Sequence, residues 1–162
     1  MTPAQAVAAE QVETNPLYAR DVDGDGHAEP WCNAYVENVC KRVGCPLPPG
    51  LRANEQVEWM LSDEGKAAGW EELASPHVAK AMADAELLVI AGWVNPARRA
   101  DGTRASGHVG VLLPGAKLAQ AGARRFSSGT VPQGFGARVP AFFGNARLTC
   151  AATLTRSTGA TP

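Results

Sequence analysis

An α+β fold, with N-terminal helices packed on a central antiparallel β-sheet, is predicted by three features of this 162-residue chain. Cys32, Val36, Val39, Cys40 and Val43 recur at helical spacing and form one apolar face. ELLVIAGW, from Glu86 to Trp93, is a short unbroken apolar run of the kind a buried strand needs. The 17 glycines and 12 prolines favour a loop-rich chain over a helical bundle.

Length and charge narrow the classes further. One domain accounts for the length and can bury a proper core, with 45% of residues apolar. The 15 basic and 16 acidic side chains nearly cancel, which gives no electrostatic case for nucleic acid or for an anionic membrane surface. The longest apolar runs, such as Leu87 to Ala91, are too short to span a bilayer. The opening MTPAQAVAAEQVETNP has neither a basic n-region nor a continuous apolar h-region, so the expectation is synthesis in the cytoplasm without a Sec signal.

Taken in order, residues 1–20 carry a weak alanine-rich helical pattern with Val7 and Val12 that ends near Asn15-Pro16, an N-terminal extension or helix. The main domain is expected over 21–155 and a frayed tail over 156–162. Asp21 to Gly26 matches the D-x-D-x-D-G opening of a calcium loop, in which alternate oxygens hold a hard cation and glycine makes the sharp turn. The twelfth position is Cys32 where an EF-hand has glutamate. Asp21, Asp23, Asp25 and Glu29 remain candidate ligands, with His27 offering its carbonyl, against the alternative of a solvated acidic turn.

Cys32 then opens the amphipathic helix, which Gly44 ends with Pro46 just beyond. A thiol in the first turn faces unpaired N–H groups and the positive end of the helix dipole, which favours its thiolate. Cys40, deeper on the same face, reads as packing. Four cysteines do not make a small disulfide scaffold in so long a chain and lack zinc spacing, but one bridge among Cys40, Cys45 and Cys150 stays open.

CPLPPGLRAN is a proline-rich connection, with Asn54 expected to cap a helix carrying Val57, Met60 and Leu61. Ser75-Pro76 places an N-cap before proline and starts a helix to about Asp84. Val94 to Ser106 is a polar loop with Asp101-Gly102 at a turn, and Gly107 to Leu113 is a second strand. Shorter strands are expected within 117–121, 138–143 and 147–154.

Among three histidines, His77 reads as a surface residue of its helix, whereas His108 opens a strand. A cysteine at a helix start and a histidine at a strand start meet when the helix packs across the sheet. In that arrangement the imidazole takes the thiol proton, the sulfur attacks an amide carbonyl, and a third polar group orients the ring. Gln120 is the suitable polar side chain beyond His108, and the backbone N–H of Cys32 is one donor for the oxyanion. Trp31 and Trp93 adjoin these elements and are candidates for a substrate groove, whereas Trp59 and Trp70 read as core. Arg98, Arg99 and Arg104 are candidates for binding peptide carboxylates, with a solvated loop as the alternative.

Three stretches, WCNAYVENVCKRVGCPLPPG, ELLVIAGW and SGHVGVLLPG, resemble the NlpC-type and CHAP cysteine peptidases, which are papain-like peptidoglycan hydrolases. Their order and spacing look closest to type VI secretion amidase effectors and phage endolysins, and AQAGARRFSSGTVPQGFG resembles a segment of the phage relatives. The likeness spans Asp21 to Phe143.

It implies a papain-like fold, Cys32 as nucleophile, His108 as base, and a substrate in the peptide moiety of peptidoglycan. It implies no organic cofactor, but the D-x-D-G-x-x-H-A stretch of calcium-binding CHAP lysins is similar to Asp21, Asp23, Gly24, His27 and Ala28, with the cysteine here two residues later. Implied partners are stem peptides, a phage or secretion apparatus and an immunity protein, with a monomer acting at the bacterial cell wall. Two other functions stay open: a Cys-His acyltransferase, and a catalytically silent, calcium-stabilised wall-binding or virion domain.

Overall fold

Residues 1–12, 14–18, 31–115, 118–119, 122–123 and 140–145 are described by a computed structural model. Helix α1 (Pro3–Glu10) starts at a reciprocal cap, in which Thr2 Oγ1 accepts the Gln5 amide at 3.3 Å and Gln5 Oε1 accepts the Thr2 amide at 2.9 Å. It ends at Gln11 in the left-handed region, and a 3₁₀ turn (Pro16–Tyr18) follows. This N-terminal segment is part of the core, where Ala6, Val7 and Tyr18 are buried against α2 (Cys32–Val43). The buried Glu10 carboxylate pairs with Arg42 and accepts the Tyr18 hydroxyl, to which Asn38 Nδ2 donates at 2.6 Å. Burial is the main cause that pushes the Tyr18 phenol up to about 12, opposed by the Asn38 amide and reinforced by Glu10.

The apolar stripe of α2 behaves as its spacing requires: Cys32, Val36, Val39 and Cys40 are buried and Val43 partly so. Each fully buried valine contributes on the order of 1.5–3 kcal/mol. Gly44, at φ +73°, ends the helix. Its amide donates to the Lys41 carbonyl at 3.2 Å and the Cys45 amide to the Cys40 carbonyl at 2.8 Å, the paired bonds of a Schellman motif.

Helices α3 (Ala53–Leu61) and α4 (Asp63–Ala67) follow, then strand β1 (Trp70–Glu72). Asn54 does not cap α3. That position is Arg52, whose amide donates to Glu55 Oε2 at 2.8 Å, and Asn54 lies inside the helix with its side chain committed to a distant loop. Helix α5 (Pro76–Asp84) has the expected cap, with Ser75 Oγ accepting the Val78 amide at 3.2 Å.

The apolar run after α5 becomes strand β2 only at Val89 and runs to Trp93. Its first residues instead close the helix: Glu86 adopts φ +60° and the amides of Glu86 and Leu87 return to the carbonyls of Ala83 and Met82. Strands β3 (His108–Val111), β4 (Leu118–Ala119), β5 (Gly122–Ala123) and β6 (Ala141–Asn145) complete the described elements. One antiparallel sheet has the order β1-β6-β2-β3, and β4 pairs with β5 separately. The strand expected over 147–154, the tail and Cys150 lie outside the described residues.

The two faces of the sheet bury different sets. Ile90, Val109, Val111 and Phe143 face the core shared with α2 and α3, while Val89, Ala91, Leu112 and Phe142 pack with Ala79 and Ala83 of α5. Gly92 permits the close seat of α3, because a Cβ there would stand 2.4 Å from Val57 Cγ2. The result is a mixed α+β architecture with helices on both faces of an antiparallel sheet.

Candidate active site

Cys32 is the first residue of α2, and its sulfur is met by three backbone N–H groups, those of Val109, Asn33 and Cys32 itself. The Val109 contact fixes where the helix start lies on the sheet. The Leu112 amide donates across to Val89 of β2 at 2.9 Å, so the alternation of an antiparallel strand turns the Val109 amide outward, away from β2. The N-terminus of α2 therefore abuts the outer side of β3, beside its first residue. That residue is His108, which is buried, with 7% of its surface exposed.

The thiol is thus brought to the peptide link between His108 and Val109. Register adds a second constraint. His108 pairs with Trp93 across the sheet, so its Cβ shares the Trp93 face, while Val109 faces α2. The Trp93 face is the one that packs on α5, and His108 is not among the residues lining the cleft at Cys32.

Electrostatically the site differs from the expectation of a preformed thiolate. Burial raises the Cys32 thiol above its ordinary value, and the opposing contributions of the Val109, Asn33 and Cys32 amides are smaller. Cys32 retains only 6% of its exposure, so loss of water outweighs the helix N-terminus. Burial thus favours the neutral thiol over the thiolate.

A cleft of about 460 Å³ opens at the sulfur, with Asn33, Arg52, Asn54, Arg99 and Ser106 among the residues in its wall. Sequence reasoning missed Asn33, Arg52 and Ser106. The only signal was adjacency: Asn33 follows the cysteine and Ser106 stands two residues before His108. The walls are tied together. Asn33 Nδ2 donates to the Leu51 carbonyl at 3.0 Å, and the fully buried Gln56 donates to the Asn33 carbonyl at 2.9 Å.

The loop from Val94 to Ser106 folds back on itself. The Arg99 amide donates to the Thr103 carbonyl at 2.8 Å and the Ala105 amide to the Ala97 carbonyl at 2.9 Å, with Gly102 at φ +81° in the turn. Its arginines separate by role. Arg98 donates to the Gly102 carbonyl, Arg104 forms a two-bond ion pair with Glu58 that holds the Glu58 carboxyl below its usual value, and Arg99 reaches Ser106 Oγ at 3.2 Å.

Trp31 and Trp93 do not line this cleft. Both are half-buried, Trp31 against the core around α2 and Trp93 against the core under α5. His77 is exposed, as its helix position predicts. Gln120 and the candidate calcium ligands Asp21, Asp23, Asp25, His27 and Glu29 lie outside the described residues. Among the described residues no group of three or more His, Cys, Asp or Glu side chains is placed to hold a metal ion. No helix among them is long and apolar enough to cross a membrane. Compared with known proteins, the chain matches no protein-family model and no curated sequence.

Proposed function

We propose that this protein is a papain-like cysteine peptidase or amidase that hydrolyses amide bonds in the stem peptides of peptidoglycan, with Cys32 as nucleophile and His108 as general base. One observation carries the proposal: the Cys32 sulfur, at a helix start, receives the amide of the residue that follows His108, and Cys32 lines a cleft whose wall also holds Asn33, Arg52, Arg99 and Ser106. The substrate class rests on the resemblance of WCNAYVENVCKRVGCPLPPG and SGHVGVLLPG to peptidoglycan hydrolases.

The buried thiol sets the order of events. Because its ionisation is disfavoured by burial, His108 takes the proton as sulfur attacks the carbonyl, in one general-base step. The Cys32 amide at the start of α2 meets the oxyanion. The imidazolium then gives its proton to the departing amine, leaving a thioester. Water attacks the thioester with His108 again as base, releasing the acid and restoring the thiol. Gln120 orients the ring, and Arg52 and Arg99 receive carboxylates of the stem peptide.

Mass spectrometry of purified muropeptides incubated with the wild type and with Cys32→Ala tests this directly, in buffer containing calcium. Cleavage by the wild type alone is expected, and the fragment masses identify the bond. Absence of cleavage by both proteins, each shown to be folded, overturns the peptidoglycan assignment.

A further inference from the structure

Two buried cysteines take no part in the site just described. Cys40 and Cys45 lie at the far end of α2, and Cys40 is eight residues along the helix from Cys32, about 12 Å away. Cys40 is fully buried and Cys45 retains 5% of its exposure. The Schellman turn at Gly44 folds the chain back so that the Cys45 amide bonds the Cys40 carbonyl at 2.8 Å. In such a turn these two positions make a side-chain contact that is usually apolar. Here both side chains are thiols, and they are in hydrogen-bonding contact with one another. Both cysteines are reduced in this structure.

We infer that Cys40 and Cys45 form a redox-closed pair: in the presence of a disulfide oxidant they join in a bridge that pins the end of α2 to the segment entering α3. The class of oxidant is a low-molecular-weight or protein disulfide. Its exchange with the pair balances without further reactants. The more exposed Cys45, as thiolate, attacks one oxidant sulfur, forming a mixed disulfide and releasing one thiolate. Cys40 then attacks the Cys45 sulfur and expels the second oxidant sulfur, which leaves as a thiol carrying the Cys40 proton. Two protons and two electrons leave the protein, and one oxidant disulfide becomes two thiols.

The segment pinned in this way is already tied at several points. The Pro46 carbonyl accepts the Trp70 indole N–H at 2.7 Å, the Gly50 amide donates to Glu37 Oε2 at 2.9 Å, and the Leu51 carbonyl accepts from Asn33. It ends at Arg52 in the cleft wall. A covalent link at Cys45 therefore steadies one wall of the cleft from a point remote from the nucleophile.

The sequence supplies a direct readout, because trypsin cuts after Lys41 and Arg42, between the two cysteines. The full chain is incubated with oxidised glutathione, denatured, alkylated and digested without reductant. The expected result is one species in which peptide 21–41, carrying both Cys32 and Cys40, is joined to the Cys45 peptide 43–52 and separates on reduction, with fragmentation placing the alkyl group on Cys32 and the bridge on Cys40. Thermal unfolding should rise by roughly 5 °C on oxidation of the wild type and stay unchanged in Cys45→Ala. Separate peptides with both cysteines alkylated, a bridge from either to Cys150, or a glutathione adduct that never closes would each overturn the inference. The readout is independent of hydrolytic activity.

Discussion

Asn54 and Asn95 are joined by a hydrogen bond of 2.9 Å from the Asn95 amide to Asn54 Oδ1, while Asn54 Nδ2 donates to the Ala105 carbonyl at 3.0 Å. One buried amide on α3 therefore holds both stems of the loop that carries Arg99. Asn54 is 6% exposed, so its partners lose their bonds in a place that water reaches poorly. Asn54→Ala should lower stability by about 1–3 kcal/mol in urea unfolding. It should also raise KM on cleavable muropeptides more than it lowers kcat, because the loop and not the thiol is loosened. A loss confined to kcat would contradict this role.

Protonation of Cys32 gives a pH signature. With the folded thiol raised by burial, the thiolate of Cys32 should grow in only as pH rises past the ordinary thiol range. Alkylation of native Cys32 by iodoacetamide should therefore be slower than that of the unfolded chain and climb at higher pH. His108→Ala should lower kcat by roughly 10²- to 10⁴-fold, the expected cost of losing the proposed base. Rapid native alkylation below neutral pH would mean that a thiolate already exists, and would replace the general-base step by a preformed ion pair.

Arg99 is the loop arginine both present in the cleft wall and not tied up by a carboxylate in the described hydrogen bonds. Arg99→Gln should raise KM about tenfold for stem peptides with a free carboxylate, the loss of one charge-assisted hydrogen bond, and leave kcat nearly unchanged. The same substitution should leave KM unchanged on the amidated peptide. Equal effects on both peptides would assign Arg99 to loop structure alone.

Calcium is testable through stability. If the Asp21 loop holds the ion, millimolar calcium should raise the thermal midpoint relative to chelator, because a ligand bound only to the folded state stabilises it. Asp23→Asn together with Asp25→Asn should abolish the difference. An identical midpoint in calcium and in chelator would count against calcium binding by this loop.

Elements whose signals are local can be read directly from the amino-acid sequence. Ser75-Pro76 marks the start of α5, Gly44 the end of α2, and GHVGVLL the strand that begins at His108. Asn54 misleads because asparagine caps helices when its side chain has no better partner, and here Asn95 and Ala105 supply two. The early residues of ELLVIAGW mislead because Glu86 adopts a left-handed conformation that closes α5, a choice apolar patterning does not encode.

By itself the sequence determined the α+β division, the helix that presents Cys32 and the strand that presents His108, because periodicity, caps and turn residues act within a few positions of one another. Tertiary structure alone decided the rest. It set the helix start against the amide of Val109, assembled a cleft from Asn33, Arg52, Asn54, Arg99 and Ser106, and buried the thiol enough to overcome its helix N-terminus. Burial and hydrogen bonds between distant segments depend on how the chain packs, so the upward shift of the Cys32 thiol and the company it keeps are properties of the folded chain.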